Sequence, residues 1–511
     1  MMTSKENMTE QWKFHACVGY TLVILCVGLP VWWSSTTVDR ANLPYDEISD
    51  LPDPQFTMSI LMVSKDADGR HSIGPKLQGA LSKSKLVEVS FRSRVRTSQE
   101  NEAYTNSKSI DSLESRIREL HPSLPSTVLF EAPSKFFADD KIIVLGKGRM
   151  IFFKEDSSDA FLVKSINEVI GLDLIDNIGT AIIKPAEDRN PDWTLRRPTA
   201  SPSFDVLFSL MIPEPDQFKP NWNIEKSIEL YFQPMLDSIS ELYDVSLKSQ
   251  VLYLTSLNLK PSRQSNGQFF VSQKELGLAV NTGSQFSSHV SSRQTLNFIV
   301  YIPSSKNSPL HVQDNEGKVA PTNAFLVPRW GGVLIHNTNQ TELNMKQIMS
   351  VFGSHFKSLI GLNHYETSLV TRNGKEFISA LEKDFLIRLG CAENLAVSKM
   401  TLQSLSHLLT KISNIVINDE VSQQVYSAVD NYKKALTHAE KGDMKEAFEH
   451  SKLSVISSEK AFFDDRLLAL LYFPEDQKYA IYIPLFLPIS ISYFGSLWTF
   501  LMALRSNYFQ R

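Results

Sequence analysis

Two charge-free apolar runs bracket a long stretch of mixed pattern. The run from Tyr479 to Leu504 (YAIYIPLFLPISISYFGSLWTFLMAL) carries no Asp, Glu, Lys or Arg. At about 1.5 Å per residue, a helix of this length crosses a hydrocarbon core of about 30 Å with some tilt. A core helix this long normally keeps one polar face, so the pattern predicts a transmembrane helix over 479–504. The run from Ala16 to Trp33 (ACVGYTLVILCVGLPVWW) is shorter and equally uncharged. A cleaved signal peptide wants small residues at its end, and Pro30, Val31, Trp32 and Trp33 stand there instead. Ser34 and Ser35 leave a later cleavage open. Paired tryptophans suit a membrane–water interface, where an apolar ring with a polar N–H is at home. The reading is a second transmembrane helix over 16–34, with a signal peptide or a buried helix as the alternatives. The C-terminal run fits a removable lipid-anchor signal poorly, because Leu471, Tyr472, Phe473, Pro474 and Glu475 precede it in place of small residues and a polar spacer.

Two spans would put residues 1–15 and 505–511 on one side and 35–478 on the other. Lys5, Lys13, Arg505 and Arg511 flank the outer ends, against Arg40 and Lys478 on the inner side. The positive-inside rule then makes the termini cytoplasmic and the bulk of the chain luminal. Lys13 and His15 sit at headgroup level and are candidate lipid contacts, although a sparse basic flank is ordinarily a topology signal alone.

Between the runs the hydrophobic period changes. A proline-bearing lead-out (Pro44, Pro52, Pro54) is followed by strand-like runs at Phe56–Ser64, Leu86–Val95, Ser126–Glu131, Lys141–Val144 and Met150–Lys154, the last just after a glycine-containing turn. Helical spacing of Ile, Leu and Val marks Ser109–Leu120 and Asp159–Gly171. Asp188–Pro202 reads as a loop. Strands are then expected at Phe204–Ile212, Gln250–Ser256, Asn297–Ile302 and Val333–His336, with an amphipathic helix over Trp222–Ile239 and an exposed Ser/Gln/Asn-rich excursion over Ser262–Thr295. This alternation predicts an α/β fold: a large luminal mixed α/β region over 35–340. Residues 341–478 read as mainly helical, with helices near 343–361, 374–389, 392–415, 419–440 and 443–463. The pair around Lys441-Gly442-Asp443 is similar to one tetratricopeptide hairpin, but no second copy recurs at the right period.

Composition adds limits. The chain has 511 residues, 42% hydrophobic and 21% charged, with net charge −4, which is globular rather than disordered and offers no basic face for nucleic acid. Of its three cysteines, Cys17 and Cys26 lie in the first apolar run. Cys391 therefore has no partner in the central region for an internal disulfide, and reads as a buried thiol or an intermolecular link.

Enzymatic chemistry is hard to place. Cys391 stands in RLGCAEN, which lacks the caspase and papain contexts. No Gly-x-Ser-x-Gly elbow, phosphate loop or HExxH motif occurs. His311, His336, His355 and His364 lack metal-ligand spacing. The adjacent acids Asp139–Asp140 and Asp464–Asp465 are ordinary solvated pairs. No catalytic, cofactor or metal residue is assigned, and no cofactor is expected. Asn339-Gln340-Thr341 is the one glycosylation sequon of the central region, making Asn339 the candidate modification site; Asn7-Met8-Thr9 falls on the cytoplasmic side. Pro328-Arg329-Trp330-Gly331-Gly332 forms a compact cluster, and its paired glycines imply close backbone approach or positive φ, with Trp330 as a core plug.

Four stretches carry a family resemblance: GLPVWW (Gly28–Trp33) with LPYDEI (Leu43–Ile48); NFIVYIPSSKNSPLHVQDNEG (Asn297–Gly317) with TNAFLVPRWGG (Thr322–Gly332); KISNIVINDEV (Lys411–Val421); and SSEKAFFD (Ser457–Asp464) running into LLALLYFPEDQKYAIYIPLFLP (Leu467–Pro488). In these the chain resembles the PIG-S family, subunits of the glycosylphosphatidylinositol (GPI) transamidase of the endoplasmic reticulum. The resemblance implies a non-catalytic subunit that supports formation of the carbonyl intermediate and transfer of a preformed GPI anchor. It implies as partners the other transamidase subunits, including a caspase-like catalytic one, together with membrane lipids, the GPI and the proprotein substrate. The alternatives are a membrane-tethered luminal enzyme and a cargo adaptor. Segments near 65–110 and 262–295 carry no part of the resemblance.

Overall fold

The computed structural model describes residues 40–65, 73–122, 127–183 apart from 139 and 156, 203–263 apart from 219 and 258, 267–272, 276, 293–337 apart from 315 and 316, 343–362, 370–372, 378–412, 415–467 apart from 466, and scattered positions within 12–34 and 480–505. The chain divides into two units: a larger one, residues 52–400 with 430–455, and a smaller one, residues 1–51 with 401–429 and 456–511.

The larger unit holds two doubly wound sheets and a small third one. Strands β1 (Phe56–Ser64), β2 (Val87–Val95), β3 (Thr127–Ala132), β4 (Ile143–Leu145) and β5 (Met150–Lys154) lie in the order β4-β5-β3-β1-β2, with the short strand Val370–Arg372 added beside β4. β1 pairs in parallel with β2 (Phe56↔Val87) and with β3 (Ile60↔Thr127), β3 with β5, and β4 returns antiparallel to β5. Helices α1 (Ile73–Leu81), α2 (Ser98–Asn106), α3 (Ile110–Leu120), α4 (Asp159–Ile170) and α5 (Leu172–Ile183) accompany it. The second sheet repeats the plan. β6 (Ser203–Ile212) is its first strand, flanked by β7 (Asp244–Tyr253) and β10 (Gln294–Tyr301), and β13 (Gly331–Ile335) lies beyond β10 with β12 (Ala324–Val327) antiparallel at the edge. In both sheets the first strand sits between the second and third, and a final antiparallel hairpin closes the far side. The fold is thus a structural duplication. β8 (Ser262–Arg263) and β9 (Phe269–Ser272) interrupt the second copy and pair with β11 (Leu310–Gln313) as the third sheet.

The central strands read as continuous apolar runs because both of their faces are covered; all six residues of β3 are buried. Edge strand β2 alternates burial and carries Glu88, Arg92 and Arg94, charges that discourage further pairing. Under the second sheet, helices α6 (Ile224–Tyr231), α7 (Gln233–Ile239) and α8 (Met345–Leu359) accompany an aromatic core. Phe208 meets Phe232 edge-on at 5.1 Å and stacks on Phe298 at 5.7 Å, and Phe232 meets Phe356 at 5.3 Å. Each such ring contributes about 1.5–3 kcal/mol by burial.

Several expectations shift. Helices 374–389 and 392–415 are one helix, α9 (Ala380–Lys411), running through Gly390. That glycine is a contact and not a break, since a Cβ there would lie 2.7 Å from the Phe448 ring. The helix expected over Trp222–Ile239 divides at Phe232, where Pro234 opens α7. β7 starts at Asp244 rather than Gln250, because its polar first half pairs along β6 from Ser203 onward. Helix α2, unmarked by hydrophobic period, starts with a reciprocal Thr97/Glu100 capping box. Helices α10 (Asp419–Glu440) and α11 (Met444–Phe462) form the expected hairpin. In the larger unit, the Tyr432 hydroxyl on α10 donates to the Pro52 carbonyl at 2.7 Å.

In the smaller unit the lead-out after the first apolar run is pinned. Arg40 Nη2 donates to the Leu409 carbonyl at 2.6 Å, Ala41 N to the Ile417 carbonyl at 2.8 Å, and Ser422 Oγ to the Asn42 carbonyl at 2.9 Å. Leu43, Ile48 and Leu51 are buried there, as are Ile415, Ile417 and Val421. Among the described residues no helix is long and apolar enough to cross a membrane. The positions described within 16–34 and 480–505 are helical, with Val23, Leu25, Ile491, Phe494 and Trp498 exposed. The rings of Tyr20 and Tyr493 lie 6.3 Å apart.

Candidate functional site

Asn339 and Lys13 lie outside the described residues; His15 is helical and exposed.

Cys391 is fully buried in α9. Burial pushes its thiol up to about 12, against a bond with Ser451 that acts the other way. Around it α9 and α11 meet through hydroxyls and amides: Asn394 Nδ2 donates to Ser451 Oγ at 3.0 Å, and the Ser398 and Ser454 hydroxyls are 2.7 Å apart. A nucleophilic cysteine needs an accessible thiolate, and this one has neither access nor a low pKa.

The Trp-Gly-Gly cluster is architectural. Gly331 has φ +144°, and a Cβ on it would lie 1.8 Å from the Asn297 carbonyl oxygen of the neighbouring strand. A Cβ on Gly332 would meet His355 Nδ1 at 2.2 Å. Trp330 packs half-buried against the core of the second copy. His355 is held neutral by burial, at about 4, and its Nδ1 has no partner among the described residues.

Doubly wound sheets offer a crevice where strand order reverses. In the first copy this lies between the carboxyl ends of β1 and β3, and the chain's own side chains fill it. Glu131 accepts from Lys65 N at 2.5 Å and from Arg96 Nη2 at 3.2 Å. The Arg96 guanidinium lies 3.9 Å from the centre of the Tyr104 ring, whose hydroxyl donates to Glu155 at 2.5 Å. Burial first, and Glu155 second, push the Tyr104 phenol upward. The Arg96 and Glu131 side chains are 1% and 5% exposed, and a buried pair of this kind fixes geometry more than it adds stability.

An open cavity lies elsewhere. A cavity of about 300 Å³ lies beside the first residues of β3 and β5, lined by Arg118, His121, Val128, Lys147, Arg149 and Met150, among others. No acidic side chain among the described residues lines it. Helix α3 supplies Arg118, and His121 follows at its end; the β4–β5 hairpin, Gly146-Lys147-Gly148-Arg149, supplies the rest. Glu114, one turn before Arg118, fixes the hairpin: it accepts from Lys147 N at 2.8 Å, Gly148 N at 2.6 Å and Arg118 Nη2 at 2.8 Å. Gly146 and Gly148 make this possible, since a Cβ on either would fall 2.7 Å from Glu114 or 2.3 Å from Arg118. The first turn of α9 locks the same hairpin, with Ala380 N and Leu381 N donating to the carbonyls of Lys147 and Gly148, both at 3.1 Å.

Each outer charge has a carboxylate behind it. Asp111 holds Lys147 at 2.8 Å, and Asp384 takes Arg149 through Nε at 2.5 Å and Nη2 at 3.0 Å. Those bonds raise the pKa of Lys147 and of Arg149. His121 Nε2 lies 2.9 Å from Glu100 Oε1, at an angle that makes no hydrogen bond. Arg388, near Asp384 and Arg149, is buried, its Nε is unpartnered among the described residues, and burial lowers its pKa while Asp384 opposes. The hydrophobic period gave no sign of this site; the only trace was the Gly-Lys-Gly-Arg turn.

The described residues thus form an α/β body with a sealed thiol, a filled switch-point crevice and a basic cavity. A family profile described as "Phosphatidylinositol-glycan biosynthesis class S protein" matches residues 19–507, and the chain belongs to this PIG-S family. It is 31% identical over 534 residues to "GPI-anchor transamidase component PIGS" of Bos taurus, covering 96% of each chain. To the Homo sapiens protein of the same name it is 31% identical over 517 residues, 93% of this chain and 92% of that one. To "GPI transamidase component PIG-S homolog" of Schizosaccharomyces pombe it is 24% identical over 491 residues, 93% and 81%.

Proposed function

We propose that this chain is a non-catalytic subunit of the GPI transamidase complex, anchored at both ends in the endoplasmic reticulum membrane with its bulk in the lumen. It supports formation of the carbonyl intermediate by a separate caspase-like subunit and the attachment of GPI to proproteins. The observation that carries this reading is family membership over nearly the whole chain, with relatives named as transamidase components. The sealed state of Cys391 supports it, since the one thiol of the central region is then not available as a nucleophile.

Anchoring rests on the two uncharged runs, Ala16–Trp33 and Tyr479–Leu504, on the apolar side chains exposed along them, and on the closeness of Tyr20 to Tyr493. A body tethered at both ends has little freedom to tilt, which raises its effective concentration for membrane-bound partners. The luminal part divides, on this reading, into a mixed α/β region over 35–340 and a mainly helical one over 341–478, with Asn339 glycosylated between them.

Purification from microsomes in mild detergent tests the assignment: a cysteine-protease subunit is expected in stoichiometric association. Recovery of this chain alone, with turnover of its own that one substitution abolishes, overturns it. Protease protection in sealed microsomes, with an endoglycosidase-sensitive shift lost in Asn339→Gln, tests the topology; digestion of the central region from outside refutes the luminal placement.

A further inference from the structure

We propose that the cavity beside the Gly146–Arg149 hairpin is a binding site for the phosphate group of a phosphate ester. The inference stands on the cavity and is independent of the role in transamidation.

Three cations converge on about 300 Å³, a volume that takes a phosphate and a small polar group but not a large ligand. The wall contains no acid among the described residues, so the carboxylates behind it orient the cations without occupying the space. Donors are left over on the cavity side. Arg118 uses Nη2 for Glu114, and Arg149 uses Nε and Nη2 for Asp384. Arg118 Nε and Nη1 and Arg149 Nη1 make no protein hydrogen bond among the described residues. Lys147 adds a point charge whose ion pair among the described residues is with Asp111. Guanidinium forks and an ammonium around a small polar space match the several oxygens of a phosphate better than the two of a carboxylate.

Preorganisation points the same way. The hairpin backbone is held on one side by Glu114 and on the other by the first N–H groups of α9, so Lys147 and Arg149 leave a fixed loop. The buried Arg388 lies close enough to Asp384 and Arg149 to interact with both, so an anion in the cavity would relieve repulsion between the two guanidinium groups.

The test uses the full chain in mild detergent at low ionic strength. Equilibrium dialysis with inorganic phosphate, glycerol 3-phosphate and a dispersed short-chain phosphatidic acid should give saturable binding. Tighter binding of phosphatidic acid than of glycerol 3-phosphate assigns the ester to a lipid headgroup, and equal binding to a soluble ester. Lys147→Gln should weaken binding about tenfold, as loss of a charge-assisted contact does, and Lys147→Arg should restore it. The Lys147 side chain is 56% exposed, so its exchange spares the fold; Arg118→Gln, which loosens Glu114, is the second variant. Without any variant, the bound ester should protect Lys147 from acetylation by acetic anhydride, read by mass spectrometry. Absence of saturable binding, unchanged affinity in Lys147→Gln, full acetylation in the presence of ester, or stronger displacement by a glutamate tripeptide than by phosphate would each overturn the proposal.

Discussion

Gly331 and Gly332 allow a test of the second sheet that separates backbone crowding from side-chain crowding. Asn297 lies opposite Gly331 in the β10–β13 ladder, and its amide donates to the Trp330 carbonyl at 2.8 Å. Gly331→Ala places a methyl 1.8 Å from the Asn297 carbonyl oxygen at φ +144°. Strain at such a φ costs about 1–3 kcal/mol and overpacking about 1–3 more, so the loss should reach about 3 kcal/mol or greater. In Gly332→Ala the clash is with the His355 ring at 2.2 Å. His355→Ala removes that ring, so the double variant should be more stable than the two single losses predict, by about 1–2 kcal/mol. No side-chain deletion can rescue Gly331→Ala, because the obstacle is main chain. Thermal unfolding of the detergent-solubilised chain followed by tryptophan fluorescence is the assay. At about 2 °C per kcal/mol for a unit of this size, Gly331→Ala should melt about 6 °C lower or more. A midpoint within a degree of the parent, or additive effects in the Gly332/His355 cycle, would refute the crowding account.

Other consequences follow from buried and paired groups. Native Cys391 should resist iodoacetamide at pH 8, and Cys391→Ala should keep GPI attachment at the cost of a small cavity, about 1 kcal/mol; loss of attachment at normal protein level would contradict a non-nucleophilic thiol. Burial holds His355 at about 4, below its ordinary value, so the unfolded chain binds the proton first as pH falls. Stability from this residue is complete above about pH 6.5 and is lost toward pH 4, by about 3 kcal/mol, and His355→Leu should flatten that part of the melting-point profile. Glu100, despite the opposing effect of burial, is lowered to about 2 by bonds from Arg94 and Thr97. Its stabilisation is present above about pH 4.5 and is lost as pH falls toward 2, so Arg94→Leu should move acid unfolding to higher pH, read by circular dichroism. Tyr432→Phe leaves the Pro52 carbonyl without its donor and should lower the melting point by the equivalent of about 1–3 kcal/mol.

Much of the element pattern was written in the sequence, because period is a local property. Phe56–Ser64 and Met150–Lys154 are strands with the expected bounds, and Asp419–Glu440 is a helix with its expected bounds. The four family stretches are linear strings, and they identify the PIG-S family before any fold is seen. The glycine pair at Gly331 was also legible as a site of close approach, since few other reasons place two glycines before a buried strand.

Relations between distant residues were decided by the tertiary structure alone. The duplication of the sheet plan is a fact of strand order, and strand order leaves no mark on hydrophobic period. Gly390 looked like a helix boundary until Phe448, 58 positions later, was found against it. The basic cavity joins a helix end, a hairpin and the start of α9, separated by about 30 and then about 230 residues, and its charges are ordered by Glu114, Asp111 and Asp384. Taken along the chain, those acids and bases are an ordinary solvated mixture; only folding brings the bases to one wall and keeps the acids behind it.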